Sequence, residues 1–139
     1  MKQKVLFDSD VLLDVFLQRH PHAQESIKAL HSAIRGEVQG YVSAHAVPTI
    51  AYFISRELGQ EKAKEVVRSF LGYLAVAAVT ENTIKQALSS KIKDFEDAIT
   101  HYAGISERIS VIVTRNTKDY SKGEISAVLP EIFNTPPSK

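Results

Sequence analysis

Short apolar runs alternate along the chain with stretches in which apolar residues recur every three or four positions. The first run, Lys4–Phe7, ends at Asp8, and helical spacing follows at once from Val11 to Phe16. The short runs predict strands and the periodic stretches predict helices. On this basis further strands are predicted at 38–42, 74–79, 109–113 and 125–129, and further helices at 27–34, 44–58, 60–73, 81–90 and 95–103.

This alternation predicts the fold class. The run 74–79 is apolar at every position, which is typical of a strand buried on both faces, and the helix 60–73 is expected to turn Phe70 and Leu71 inward. Helices alternating with buried strands indicate an α/β protein, a three-layer α/β/α sandwich around a central, mostly parallel sheet. We predict one domain over residues 1–134 and a C-terminal tail over 135–139.

Composition narrows the class of protein. The 139 residues suffice for one domain, and no apolar run approaches the roughly 20 residues that span a bilayer, which predicts a cytoplasmic protein without membrane contact. The chain has no cysteine, so any metal must be held by oxygen or imidazole. A net charge of +1 argues against coating nucleic acid non-specifically but leaves room for a small nucleic-acid site.

Acidic and amide residues follow the predicted strands. Asp8 comes directly after the first strand, Asn116 and Asp119 follow the strand 109–113, and Asp97 lies near the start of the helix before that strand. Sites in parallel α/β sheets form beyond the carboxyl ends of the strands, so the fold can gather these groups. Clustered carboxylates repel one another unless a cation neutralises them. Mg²⁺ or Mn²⁺ prefers such ligands, and its chemistry favours phosphodiester hydrolysis.

Ordinary structural roles compete with this hypothesis. Asp8 and Asp119 can each be turn residues, and Asp10 is expected to be the N-cap of the first helix. Asp94 can cap the helix 95–103, with Asp97 as its capping-box partner. The five histidines form no close metal-binding motif and are assigned to the surface or to packing: His20, His22, His31, His45 and His101.

Three segments carry a resemblance to a known family. They are FDSDVLLDVF near the N-terminus, DFEDAITHYA in the predicted helix 95–103, and VIVTRNTKDY after it. In their order and spacing they resemble the motifs of the PIN domain family, metal-dependent ribonucleases that include the VapC toxins of bacterial toxin–antitoxin pairs. The resemblance extends from Val5 to Phe133.

The resemblance implies a site and its partners. Asp8, Asp97 and Asp119 would hold Mg²⁺ or Mn²⁺ and, with Asp94 as a supporting acid, would be the catalytic residues. The remaining site residues are Ser9, Thr114 and Asn116 around the acids, and Arg115 and Lys118 for RNA. The resemblance also implies an RNA substrate, a homodimer and, for a toxin, a small antitoxin protein.

Two departures from the family pattern affect the expected activity. Thr49 stands where the family carries a glutamate, and Asn116 stands where an aspartate is frequent, so a weaker or differently specific nuclease is expected. One alternative is therefore a catalytically degenerate PIN-fold module that binds RNA or protein. Another is a small-molecule phosphatase of the DxD type, since Asp8, Ser9 and Asp10 match its opening motif.

Overall fold

The computed structural model describes residues 2–136, and it contains every strand that the hydrophobic pattern predicts. Residues 137–139, most of the predicted tail, lie outside the described part. In chain order the elements are β1 (Lys4–Phe7), α1 (Ser9–Phe16), α2 (Ala23–Ile34), β2 (Gln39–Ser43), α3 (Ala46–Leu58), α4 (Gln60–Phe70), β3 (Leu74–Ala77), α5 (Glu81–Leu88), α6 (Phe95–Ser106), β4 (Val111–Val113), a 3-10 helix (Thr117–Tyr120), β5 (Ser126–Val128) and α7 (Pro130–Phe133).

The strands form one parallel sheet in the order β3-β2-β1-β4-β5. Alternate residues of β1 enter different cores: Val5 and Phe7 pack with α1 to α4, and Leu6 packs with α5 and α6. This confirms the predicted three-layer α/β/α sandwich. Phe7 pairs with Val113 in register, so the carboxyl ends of β1 and β4 lie side by side.

The prediction of complete burial for the strand at 74–79 is wrong. β3 is an edge strand that pairs with β2, its central residues are exposed, and Val76 is 41% exposed. A continuous apolar run cannot distinguish a central strand from an edge strand, because strand order is set by long-range contacts. Leu71, predicted to face inward, follows the end of α4 and is 45% exposed.

His101 holds the loop after the 3-10 helix against α6. Its buried Nε2 accepts hydrogen bonds from the backbone amides of Glu124 (2.9 Å) and Ile125 (3.2 Å), and burial lowers the pKa of the ring. A Cβ at Gly123 would lie 2.6 Å from the same Nε2, so this close approach requires glycine. The contact fixes the segment that directly follows Tyr120, and it confirms His101 as a packing histidine.

A buried ion pair connects the loop after β4 to α1. Arg115 donates to both carboxylate oxygens of the fully buried Asp14, from Nε at 2.8 Å and from a terminal guanidinium nitrogen at 3.1 Å. Ser26 of α2 also donates to Asp14. The Asp14–Arg115 pair, with the hydrogen bond from Ser26, therefore joins α1 and α2 to the loop that follows β4.

No helix among residues 2–136 has the length and apolar character needed to cross a membrane.

We expect Arg115→Ala to lower the free energy of unfolding by about 3 kcal/mol, because it leaves the Asp14 carboxylate buried without a countercharge. Lys118→Ala, at an exposed residue in the same loop region, should change it by less than about 0.5 kcal/mol. Urea denaturation monitored by circular dichroism measures both. Equal stability of the two variants would contradict the structural role of the ion pair.

Candidate functional site

Asp8 lies at the carboxyl end of β1 and is 9% exposed. Its Oδ1 accepts from the Ser9 amide at 2.9 Å, and its Oδ2 accepts from the hydroxyls of Thr114 (3.0 Å) and Tyr120 (2.9 Å). Asp8, and not Asp10 as predicted from the sequence, is the N-cap of α1. Its carboxylate is therefore held in one orientation by donors from the start of α1, the end of β4 and the 3-10 helix.

Asp97 approaches Asp8 from the first turn of α6. The Tyr120 hydroxyl lies 3.3 Å from Oδ1 of Asp97 and 2.9 Å from Oδ2 of Asp8, so it connects the two carboxyl groups. A phenol has one hydrogen and can donate to one acceptor at a time, so the nearer Asp8 receives it. A protonated Asp97 can then donate its own hydrogen to the phenol oxygen.

Burial and crowding raise the pKa of both acids. Desolvation is the main cause for Asp8, opposed by the hydrogen bonds from Tyr120, Ser9 and Thr114. For Asp97, burial and then the negative charges of Asp8, Asp94 and Asp119 raise the pKa to about 7. Burial also raises the pKa of Tyr120, which stays a neutral donor. The acid pair thus favours a proton, or another positive charge, between its members.

Asp10 lies in the first turn of α1 and organises the loop after β4. Its Oδ2 accepts from the Arg115 amide at 3.1 Å and from Nδ2 of Asn116 at 3.0 Å, while its buried Oδ1 has no partner among the described residues. Burial and the neighbouring Asp8 raise the pKa of Asp10 to about 6. Asn116 therefore acts on the site through its hydrogen bond to Asp10, whose pKa is raised in part by the charge of Asp8.

A cavity of about 30 Å³ opens onto the acid pair, and we call it the acidic cavity. It has room for about one water molecule or a small cation. Its lining includes four of the residues predicted from the sequence and four others: Asp8, Ser9, Thr49 and Asp97, with His45, Ala46, Glu96 and Thr100. Thr49 thus lines the same cavity as both acids, and its hydroxyl lies 3.5 Å from the His45 carbonyl oxygen, to which it donates.

His45 lines the acidic cavity, a place that the expected surface or packing role does not predict. Its Nε2 lies 3.1 Å from the Glu96 carbonyl oxygen and 3.3 Å from Oγ1 of Thr100. A carbonyl can only accept, so Nε2 carries the hydrogen and the buried Nδ1 is without a partner among the described residues. No spacing motif marks this histidine, because its partners lie 51 and 55 residues further along the chain.

A second cavity, of about 230 Å³, lies beside the first and contains the other predicted acids. Asp94 is the N-cap of α6 and accepts from the Asp97 amide at 3.0 Å, so its predicted capping role is confirmed. Asp119 is exposed on the 3-10 helix. We call this the lysine cavity, since four lysines line it: Lys91, Lys93, Lys118 and Lys122.

The structure therefore divides the predicted site residues among three places. Asp8, Ser9, Thr49 and Asp97 surround the acidic cavity, with Thr114 bonded to Asp8. Asp94, Lys118 and Asp119 line the lysine cavity. Arg115 turns its guanidinium to Asp14, with 28% of the side chain exposed. Tyr120, the aromatic end of the third motif, is, like His45, a site residue that the sequence predictions omitted.

The acid pair, Asp8 and Asp97, can supply two carboxylate ligands to a divalent cation. Within residues 2–136, no group of three or more His, Asp and Glu side chains is arranged to hold a metal ion. Asp8 and Asp97 nevertheless offer hard oxygen ligands beside a water-sized cavity, and their raised pKa values mark a place that needs positive charge. Mg²⁺ is commonly held by one or two carboxylates while it keeps several waters, and this donor set fits that mode.

A larger cavity of about 590 Å³ between α2, the segment that leads from α2 to β2 and the end of α7 shares no lining residue with the acidic cavity among the described residues. Its lining contains none of the clustered acids, so the chemistry points to the smaller cavity.

Known proteins share this architecture. A curated relative, the ribonuclease VapC1 of Aquifex aeolicus, is 21% identical over 136 residues, covering 94% of this chain and 93% of the relative. The sarcin-ricin loop cleaving toxin VapC20 of Mycobacterium tuberculosis superimposes with a TM-score of 0.71 at 13% identity, covering 87% of this chain and 96% of that one. A toxin–antitoxin complex from Klebsiella pneumoniae gives 0.69 at 22% identity, covering 91% and 97%.

The family is established by a direct match along the sequence. Residues 4–118, from the start of β1 to the second residue of the 3-10 helix, match the PIN domain. The match includes the segments with Asp8 and Asp97 and gives no support to the phosphatase-like alternative. The chain therefore belongs to the PIN domain family.

Proposed function

We propose that this protein is a ribonuclease that uses Mg²⁺ or Mn²⁺ to hydrolyse RNA phosphodiester bonds. The observation that carries the proposal is that the Tyr120 hydroxyl joins the buried carboxyl group of Asp8 to the half-buried one of Asp97 at the carboxyl end of a parallel sheet. The curated relative VapC1 is a ribonuclease, and VapC20 cleaves the sarcin-ricin loop, which supports RNA as the substrate.

In this proposal the acids bind the cation and the hydroxyls keep them in place. Asp8 and Asp97 are the main ligands. Asp119 is the proposed third ligand from the 3-10 helix: it lines the lysine cavity, and its charge helps to raise the pKa of Asp97. A bound divalent cation lowers the pKa of water and stabilises the charge that develops on the phosphoryl group. Thr114 and Tyr120 both donate to Oδ2 of Asp8 and so fix the orientation of a carboxylate that lines the acidic cavity.

The protein partner in this proposal is an antitoxin. Similar structures include a toxin–antitoxin complex from Klebsiella pneumoniae and VapBC2 of Rickettsia felis bound to promoter DNA. By that likeness we propose that the chain is the toxin of a toxin–antitoxin pair. The homodimer that the family resemblance implies stays a proposal. Ser9 and Asn116 support the acids, Asp94 adds negative charge next to Asp97, and Lys118 and Arg115 stay the predicted RNA contacts.

A second candidate function is a binding module that keeps the fold and has lost cleavage. The observation that favours it is Thr49, which lines the acidic cavity where a third carboxylate would strengthen cation binding. Such a module would bind RNA or protein without turnover.

Asp8→Asn or Asp97→Asn should abolish metal-dependent cleavage of a labelled single-stranded RNA. Removing an outer-shell partner of a metal ligand already reduces activity by about 10- to 100-fold, so losing a ligand should reduce it by at least about 100-fold. Glu57→Gln changes an exposed acid of α3 and is the matched control, purified identically to reveal contaminating nuclease. Unchanged cleavage in both site variants would refute the proposal, and RNA binding without cleavage by the wild type would favour the binding module.

Thr49→Glu should strengthen Mn²⁺ binding by about tenfold, because it adds a carboxylate to the lining that contains Asp8 and Asp97. Isothermal titration with Mn²⁺ measures the change. Thr49→Gln, which has the same length without the charge, is the control. Equal affinities for the two variants would place residue 49 outside the metal site.

The metal-free protein should lose stability as pH rises from about 4 to about 7. Asp97 has a pKa of about 7 in the folded protein, against an ordinary value of 3.8 in the unfolded chain. Between these two pH values the folded state therefore binds more protons than the unfolded state, and stability falls as pH rises. At pH 8 with EDTA, Asp97→Asn should raise the free energy of unfolding by about 1–2 kcal/mol, less than full linkage predicts because Asp97 is partly exposed. The gain should vanish near pH 3.5. Urea titrations at both pH values test this, and a gain independent of pH would disprove the assigned cause.

A further inference from the structure

The lysine cavity concentrates positive charge next to the acid pair. Its lysines come from two segments, the loop before α6 and the region of the 3-10 helix, and all four are exposed: Lys91, Lys93, Lys118 and Lys122. The other charged residues in its lining are Asp94 and Asp119. Positive side chains therefore outnumber negative ones around one concave surface, although the whole chain has a net charge of only +1.

These lysines differ from those on the helices. Lys28, Lys62 and Lys85 each pair with a glutamate three or four residues away on the same helix. Among the ion pairs of residues 2–136, none involves a lysine of the lysine cavity. Four ammonium groups around one cavity of about 230 Å³ repel one another, and an anion that enters it relieves the repulsion.

The position of the cavity indicates the kind of anion. Asp94 lines the lysine cavity and also accepts from the amide of Asp97, which lines the acidic cavity, so the start of α6 contributes to both cavities. An anion that reaches both must carry charges at intervals along its length. Phe95, next to Asp94, has a ring that is 45% exposed, and exposed aromatic rings beside cations are typical of surfaces that bind single-stranded nucleic acid.

We propose that the lysine cavity binds the phosphodiester backbone of single-stranded RNA next to the phosphate that lies at the acid pair. This inference rests on the proposed ribonuclease function and adds the path of the substrate: the strand leaves the acidic cavity past Asp94 and runs between Lys93 and Lys122. Lysine offers a mobile point charge, so the contacts read phosphates without selecting bases.

The test compares two triple variants of the full chain with EDTA present, so that cleavage cannot occur. One removes Lys91, Lys93 and Lys122, each changed to Gln. The matched control changes Lys28, Lys62 and Lys64 to Gln, three exposed lysines of α2 and α4 outside the lysine cavity. Fluorescence anisotropy of a labelled oligouridine measures affinity over a range of salt concentrations, and circular dichroism verifies the fold of each variant.

We expect the first variant to bind oligouridine at least about tenfold more weakly than the control near 0.1 M salt. The slope of log affinity against log salt should become shallower by about 2, since each lost phosphate contact on a single strand contributes roughly 0.7. Equal weakening in the two variants, or no binding by the wild type, would overturn the proposal. So would a lysine dependence seen with a labelled oligoglutamate and not with oligouridine, which would favour an acidic peptide.

Failure of this inference and failure of the proposed function are separable. The binding assay uses no metal and no cleavage, whereas the ribonuclease proposal is tested by cleavage in the Asp8→Asn and Asp97→Asn variants.

Discussion

The site depends on one hydroxyl placed between two carboxyl groups. Tyr120 lies within hydrogen-bond distance of Asp8 and Asp97, and it has one hydrogen to give. Three parts of the fold must therefore meet at one point: the end of β1, the first turn of α6 and the 3-10 helix. Two contacts hold these parts in place. His101 binds the loop after the 3-10 helix to α6, and the Asp14–Arg115 pair binds the loop after β4 to α1.

Bringing Asp8 and Asp97 together raises the pKa of both, and neighbouring groups act on each acid differently. The amide of Ser9 and the hydroxyl of Thr114 stabilise the charged form of Asp8, while burial opposes it. Burial, and then the negative charges of its acidic neighbours, raise the pKa of Asp97 to about 7. Four lysines, two before α6 and two in the region of the 3-10 helix, line the lysine cavity. None of them belongs to an ion pair of the described residues. A near-neutral chain thus contains adjacent zones of opposite charge.

Much of this arrangement could be predicted from the sequence. The apolar periodicities locate the strands and helices, and the rule for parallel sheets brings Asp8 and the segment after β4 to the same edge. The sequence could not identify the cap of α1, because Asp8 and Asp10 both suit that role and only the backbone geometry selects Asp8. It could not assign Arg115 either, since its partner Asp14 lies 101 residues away. Edge exposure of β3 and the place of His45 in the acidic cavity likewise depend on which distant elements become neighbours.

The order of the chain also has a consequence for its synthesis. Asp8 is made well before its hydrogen-bond partners: Thr114 follows 106 residues later and Tyr120 follows 112 residues later. A chain still growing on the ribosome can form β1 and β2 while its carboxylates stay apart. The acid pair is joined only after Tyr120 has emerged, so the nascent chain is extended by 112 residues beyond Asp8, beside ribosomal RNA, before the centre is assembled.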